Sequence, residues 1–409
     1  MKTNRGRALV IGGSMSGLLT GLLLRQRGWE VDLFERVDSE LSGRGAGIVA
    51  QPELLTRLRG LGLDTDGLGY EVTTRKLLDP SGRLTHTLAC PQILTAWERV
   101  YRILRDAFRR LGAPERYHRG KWLKRFEQDE RGVTAFFNDG SKVWADLLVG
   151  ADGLRSSVRA QCDPRLVPLY AGYVAWRALI REDAFPEAIH RELFDYLTFC
   201  LPPGEQFLGY PVAGPDSAPD RKDNRYNVVW YRPATEHDEL PRLLTDENGV
   251  THTISIPPPL IRRAAIEAMR SDAMRLVAPQ FRAIVPLMSE PILQPIYDLE
   301  SSHMAFGRVA ILGDAAFVAR PHVAAGVAKA ADDALALAEA LEAEGDVAAA
   351  LRRFEAQRLR VNSRIIEYAR HLGAYLQATQ TAEERARSQR HGIPEAVVKE
   401  TAVLDFLHG

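Results

Sequence analysis

"RALVIGGSMSGLLTGLLLRQRGWEVDLFER", residues 7–36, decides the fold. "RALVIGG" is an apolar run of β-branched and aliphatic residues, the composition of a strand buried on both faces. "SMSGLLTGLLLRQRG" follows with helical periodicity and stops at Gly28, a residue suited to a helix C-terminus. "WEVDLFER" is a second strand. Strand, turn, helix and strand within thirty residues make a βαβ unit, and a βαβ unit implies a parallel sheet.

The turn between strand and helix is "GGSMSG", Gly12 to Gly17. It fits Gly-x-Gly-x-x-Gly except that Ser14 takes the middle glycine's place. Gly12, Gly13 and Gly17 allow a tight turn that brings a helix N-terminus against a pyrophosphate, and Ser14 and Ser16 are small enough to leave that approach open. Glu35 ends the second strand with Arg36 beside it, where an acid can hold adenosine ribose hydroxyls. Taken alone the fingerprint is weak. With strand, helix and terminal acid in place it predicts a dinucleotide site.

Two further turns extend the pattern. "GADGLRSSVR" (150–159) follows the strand "ADLLVG", with Asp152 and Gly153 at its bend; Asp152 as an ordinary helix cap is the alternative. "GRVAILGDAAFVARPHVAAG" (307–326) ends a strand at Gly313-Asp314 and turns through Pro321 and His322 into a helix beginning near Val327. Asp314 can accept bonds from sugar-type hydroxyls, and the amides of Ala324, Ala325 and Gly326 can face a ring or phosphates. Between these turns come a Gly-rich loop "SGRGAGIVAQP", a hairpin around "DPSG", and the helix "AWERVYRILRDAFRRLG". A three-strand meander turns at Glu130–Gly132 and Asn138–Gly140, and "YAGYVAWRALI", "FDYLTFCLP", "FLGYPV" and "NVVWYRP" read as extended segments. "AGPDSAPDRKDNRYN" reads as an exposed loop, 258–290 as mostly helical, and the C-terminus as helix-rich.

Composition bounds the function. The 409 residues hold 53 Lys+Arg against 53 Asp+Glu, so no basic excess argues for nucleic acid. Cys90, Cys162 and Cys200 are widely spaced with no Cys-x-x-Cys, which predicts reduced thiols in a cytoplasm and no metal site. Lys2, Arg5 and Arg7 before an apolar stretch resemble a secretory leader only superficially. Glycines interrupt that stretch, Arg25 and Arg27 close it, and no small-residue cleavage site follows. No apolar run approaches a membrane span.

In order and spacing, the three turns resemble those of the flavoprotein aromatic hydroxylases, the group A FAD monooxygenases typified by 4-hydroxybenzoate hydroxylase. Within that group "LSGRGAGIVAQPEL" (41–54), "PERYH" (114–118), "YAGYVAWR" (170–177) and "GDAAFVARPHVAAGVAKAADDA" (313–334) resemble the dihydroxypyridine-hydroxylating subfamily. Phe317 stands where the wider group carries a histidine, Ala324-Ala325-Gly326 replaces Gly-Gln-Gly, and Tyr101, between Arg99 and Arg102, replaces a flavin-contacting arginine. The subfamily shares the alanine-rich turn and lacks that arginine.

The resemblance implies a fold: an α/β FAD-binding domain, Rossmann-like and of glutathione-reductase type, with an inserted mixed β-sheet substrate domain and C-terminal helices. The expected boundaries are 1–70, 97–166 and 300–380 for FAD, 71–96 and 167–299 for the substrate sheet, and 381–409 for a helical tail. It also implies non-covalent FAD, NADH or NADPH as a transient reductant without a domain of its own, and molecular oxygen. The flavin then forms a hydroperoxide whose distal oxygen attacks an electron-rich aromatic ring. A homodimer is compatible with this. Pro321 and His322 are expected beside the reactive edge of the flavin as catalytic residues, His322 binding or deprotonating a ring hydroxyl. Gln51 and Tyr210 are expected to face the substrate. Trp176 and Arg177 read as a structural stack and ion pair. The alternatives are a hydroxylase of another phenol or hydroxybenzoate, with or without decarboxylation, a flavin-dependent halogenase, and a non-catalytic flavoprotein. The halogenases use a Trp-x-Trp motif, and none of the six tryptophans forms one.

Overall fold

The opening segment folds as strand Arg7–Ile11, helix Met15–Gln26 and strand Glu30–Phe34. The computed structural model describes residues 5–41, 47–110, 114–214 and 224–407. Ala8, Leu9 and Val10 are buried, as a central strand covered on both faces requires. The strand lies between Glu30–Phe34 and Leu147–Gly150, parallel to both, and Val309–Ile311 adds in parallel beyond Leu147–Gly150. Tyr117–His118, from the "PERYH" segment, pairs with Leu33 and Phe34 at one edge, and Ala305–Phe306 runs antiparallel at the other. The helix ends where Arg27 closes its last turn and Gly28 takes φ +87.

The meander Leu123–Gln128, Val133–Phe137 and Lys142–Ala145 is antiparallel throughout. Its two turns close on Asp129 and Asp139, which accept the backbone amides of Arg131 and Ser141.

A mixed sheet of nine strands forms the second layer. In spatial order it runs Phe317–Val318, Ile292–Glu300, Leu169–Arg181, Arg225–Pro233, Gln206–Val212, Leu197–Cys200, Tyr70–Leu78, Leu84–Ala96 and Gly47–Val49. Only Leu197–Cys200 and Tyr70–Leu78 pair in parallel. Side-chain alternation divides the long strand Leu169–Arg181. Val174, Trp176, Ala178 and Ile180 pack outward with Met269, Ala273 and Phe281 of the helices Arg263–Leu276 and Pro279–Ile284. Tyr173 and Ala175 face inward with Leu208, Tyr210, Val229 and Tyr231.

Helix Gly326–Ala343 packs against helices Met15–Gln26 and Val347–Gly373, and the latter reaches the edge strand Ala305–Phe306. The chain ends in helices Ala382–His391 and Pro394–Glu400, the former opened by a Thr381/Glu384 capping box. The last segment reaches back to the nine-stranded sheet. The fully buried Arg75 guanidinium donates to the carbonyls of Val398 and Thr401 at 2.5 and 2.8 Å, and Gln92 donates to Ala402 O at 2.9 Å.

Candidate active site

The turn after the first strand is set by close approaches. Gly12 has φ +111, and a Cβ there would lie 2.3 Å from Ala151 O; a Cβ on Gly17 would lie 1.8 Å from Gly12 O. Side chains at either position would force the glycine turn away from the neighbouring strand end and the helix. Above this turn opens a cleft of about 680 Å³. Of the sequence-predicted cofactor residues, Gly12, Ser14, Ser16, Glu35, Arg36, Asp152, Gly153, Asp314 and Gly326 line it. Gly13, Gly17, Gly313, Ala324 and Ala325 do not line it. Trp97, Lys121 and Trp122, which no sequence motif marked, also line it, as does Arg155 from the "GADGLRSSVR" turn.

Several of these residues hold the frame as well as facing the cleft. Glu35 accepts the amides of Gly13 at 2.8 Å and Val37 at 2.9 Å, while the Tyr117 hydroxyl donates to Gly13 O at 3.0 Å. Asp152 accepts the amide and the hydroxyl of Ser157 at 2.7 and 2.8 Å, while Ser156, whose hydroxyl accepts the Arg159 amide at 2.9 Å, caps the helix Ser157–Cys162. Arg159, buried one turn on, donates to Leu154 O and Ala315 O and ties this turn to the Gly313-Asp314 turn. Gly313 N donates to Asp333 at 3.1 Å.

Asp314 is open to the cleft yet walled by protein, and no hydrogen-bond donor among the described residues takes up its carboxylate. The surrounding protein raises its pKa; Lys329 opposes that shift and Asp333 adds to it. Tyr101 is buried, stacked on Trp97 with its hydroxyl 3.3 Å from that of Tyr117, so Trp97 and not Tyr101 meets the cleft. Arg99 donates to Gly214 O at 3.0 Å.

The same cleft-side turn reaches the nine-stranded sheet. Pro321–Val323 is a short 3₁₀ turn, Ala324 takes the left-handed conformation at φ 50, and the helix begins at Gly326. His322 is 2% exposed, with Nε2 2.9 Å from the Tyr173 hydroxyl and its ring against Tyr231. Burial, with Arg320 nearby, lowers its pKa to about 3, so the imidazole is neutral. Its carbonyl accepts the Ala402 amide at 2.7 Å.

Tyr210 lies on the inner face and donates to Gly47 O at 3.0 Å. Gln51 is buried and donates to Ala402 O at 3.2 Å; it lines a separate cleft of about 480 Å³ between the hairpin and the C-terminal segment. Trp176 and Arg177 form neither a stack nor an ion pair. Successive strand residues point to opposite faces, and Arg177 turns inward, donating to Gln294 at 2.9 Å and Gly47 O at 3.5 Å. Residues 42–46 of the Gly-rich loop and 215–223 of the expected exposed loop lie outside the described residues.

The donor set fits FAD: a tight glycine turn packed against the neighbouring strand end, a helix N-terminus, an acid at the second strand end, and Asp314, whose carboxylate has no donor among the described residues. Among the described residues no group of His, Cys, Asp or Glu is placed to hold a metal, and no helix is long and apolar enough to cross a membrane.

The chain resembles known proteins over nearly its whole length. Residues 170–298 match the family model described as FAD binding domain-like. The chain is 32% identical to 2,6-dihydroxypyridine 3-monooxygenase of Paenarthrobacter nicotinovorans over 97% of its length and 98% of that protein. It is 27% identical to the FAD-dependent urate hydroxylase of Klebsiella pneumoniae, covering 86% of this chain and 85% of that one. The solved structure of 2,6-dihydroxypyridine-3-hydroxylase from Arthrobacter nicotinovorans superposes with a TM-score of 0.85 at 32% identity, covering 91% of this chain and 93% of that one.

Proposed function

This chain belongs to the FAD-dependent monooxygenases that hydroxylate aromatic rings, and on that premise we propose that its substrate is 2,6-dihydroxypyridine or a close analogue with two activating oxygens. NADH or NADPH is the reductant and molecular oxygen the second substrate. The observation that carries the reading is a single turn: His322 lies against the inner face of the sheet, and four residues on Gly326 lines the cofactor cleft. A ring held against that face is within one short turn of the flavin.

The division of labour follows. Gly12, Ser14, Ser16 and the N-terminus of helix Met15–Gln26 take the pyrophosphate, Glu35 and Arg36 the adenosine end, and Asp314 a ribityl hydroxyl. The N-terminal amides of helix Gly326–Ala343, whose Gly326 lines the cleft, would meet the flavin ring. Bound FAD supplies what side chains lack, reduction by a nicotinamide and activation of oxygen for transfer of one atom to carbon. The protein's part is to hold the ring, keep its oxygens in the reactive ionisation state and exclude water. The nine-stranded sheet closes the chamber. His322, neutral and bonded to Tyr173, orients the ring; its low pKa makes it a poor proton acceptor. The three cysteines are unpaired, which suits a reducing cytoplasm.

The test is a panel of hydroxypyridines and phenols added to the yellow holoenzyme, with flavin reduction by NADH and by NADPH followed at 450 nm, roughly the absorption maximum of oxidised flavin. 2,6-Dihydroxypyridine is expected to bind and accelerate reduction. Efficient turnover of a benzenoid phenol with no binding of any hydroxypyridine overturns the assignment.

A further inference from the structure

Lys329 is the fourth residue of helix Gly326–Ala343, the helix whose Gly326, Val327 and Ala330 line the cofactor cleft. Its side chain is wholly buried, and its Nζ has no hydrogen-bond partner among the described residues. Three N–H donors shut inside protein without an acceptor are unfavourable, and the first turn of a helix is the end whose dipole disfavours a cation. A lysine held in such a place answers to negative charge close by.

Two carboxylates are near. Asp333, one turn along the helix, has Oδ2 3.8 Å from Nζ, but its oxygens are already taken. Oδ2 accepts Gly313 N at 3.1 Å, while Oδ1 accepts Arg358 Nε at 2.8 Å and Asn362 Nδ2 at 3.0 Å. Arg358, from helix Val347–Gly373, is therefore the counter-ion of Asp333. The second carboxylate is Asp314, next in the chain to the Gly313 that Asp333 holds. It lines the cleft with no donor among the described residues, and the charge of Lys329 acts on it, favouring the ionised form against burial and Asp333. Charged groups on the neighbouring elements are engaged elsewhere: Arg159 donates to Leu154 O and Ala315 O, Asp152 accepts Ser157, and Arg155 donates to Ser255. Two acids and two bases thus make a neutral set, in which Lys329 is left for Asp314.

We propose that Lys329 is a positioning residue for the cofactor: its buried ammonium balances Asp314 once FAD fills the cleft, so that Asp314 meets the ribityl hydroxyl as a carboxylate. This rests on the reading above in which Asp314 takes that hydroxyl. In the open cleft water solvates Asp314. A bound cofactor displaces that water, and a carboxylate so covered takes up a proton unless a positive charge stays beside it. Lys329 lies inside the protein and is not displaced. With Lys329 in place, FAD binding is independent of protons; without it, binding takes up a proton, and the affinity falls as pH rises.

The experiment dilutes holoenzyme at a series of pH values between about 6 and 8.5 and reads the FAD dissociation constant from the fluorescence of released flavin. The wild-type constant is expected to change less than about twofold across the range. Lys329→Met is expected to lose affinity as pH rises, by up to about tenfold per pH unit, the slope of one coupled proton. That slope is expected to vanish in the double variant Lys329→Met/Asp314→Ala, because the titrating group has gone. Circular dichroism checks that each variant is folded; if Lys329→Met is not, Lys329→Gln goes through the same series. A wild-type constant that itself weakens about tenfold per pH unit overturns the inference without any variant. A loss of affinity in Lys329→Met that is equal at every pH, or a slope that survives in the double variant, assigns Lys329 to packing and overturns the inference while leaving the functional reading intact. Unchanged FAD affinity in Asp314→Ala removes Asp314 from the cofactor site and this inference with it.

Discussion

His322 and Tyr173 share a hydrogen bond of 2.9 Å between Nε2 and the phenol oxygen, closed off from water on the inner face of the nine-stranded sheet. Burial and Arg320 hold the imidazole neutral. The pair therefore packs as a rigid wall between the Pro321–Val323 turn and the sheet, and Nδ1, its unpaired ring atom, is buried with it.

Replacing that wall should separate rate from cofactor binding. His322→Asn is expected to keep FAD, slow hydroxylation by roughly 100-fold and raise hydrogen peroxide released per nicotinamide oxidised, because a misplaced ring lets activated oxygen escape. Product, peroxide and FAD content are measured together. Wild-type rate and coupling assign His322 to packing alone; loss of FAD makes it a residue of the fold or cofactor site.

The buried imidazole also predicts acid sensitivity. Its pKa is about 3 in the folded chain against about 6.5 when unfolded, so below pH 6.5 the unfolded state binds a proton that the native state does not. Stability is thus lost as pH falls from about 6.5 towards 3, at ~1.4 kcal/mol per unit from this group. Urea unfolding of wild type and His322→Asn between pH 7 and 4 checks it: the wild type should lose stability more steeply, and parallel curves contradict the burial.

Asp314→Ala should weaken FAD binding by roughly 10- to 100-fold, the worth of about 1.5–3 kcal/mol for a bond to a charged acceptor. Its carboxylate lines the cleft with no protein donor of its own, so its loss leaves the scaffold intact. Unchanged FAD affinity, by titration of the apoprotein, removes Asp314 from the cofactor site.

Arg75→Met should free the C-terminal segment, since that guanidinium alone bonds the carbonyls of both Val398 and Thr401. Hydrogen exchange at the Ala402 amide, which is bonded to His322 O, reports it directly. Faster exchange there, with unchanged exchange in the Arg7–Ile11 strand, is the expected result. Unchanged exchange at Ala402 shows that the segment is held by other contacts.

Local sequence carried much of this architecture. The βαβ opening, the meander turns at Glu130–Gly132 and Asn138–Gly140, and the strands around Trp176 and Tyr210 each have a periodicity or turn chemistry of their own. Tyr117–His118 does not, because two residues are too few to show alternation, and its pairing with Phe34 is a tertiary choice. Arg75 carries no local signal of its role, and only a partner 323 residues downstream makes it a buried clamp. For Arg177 the misjudgement was one of direction: an arginine beside a tryptophan suggested a stack, whereas the strand's alternation sends the two to opposite faces. The signal for the cofactor cleft lay in three glycine turns. The inner face of the nine-stranded sheet had no such signal, since an atom such as Arg177 Nε is left unpaired only once the strands are paired.

The most direct test of the account is oxygen transfer itself. Holoenzyme, 2,6-dihydroxypyridine and NADH or NADPH are incubated under ¹⁸O₂, and the product is examined by mass spectrometry alongside nicotinamide consumption. The account predicts a trihydroxylated ring carrying one labelled oxygen atom, formed nearly one-for-one with nicotinamide oxidised. Nicotinamide oxidation that yields only hydrogen peroxide with the ring unchanged, or a hydroxylated ring whose new oxygen is unlabelled, would contradict it.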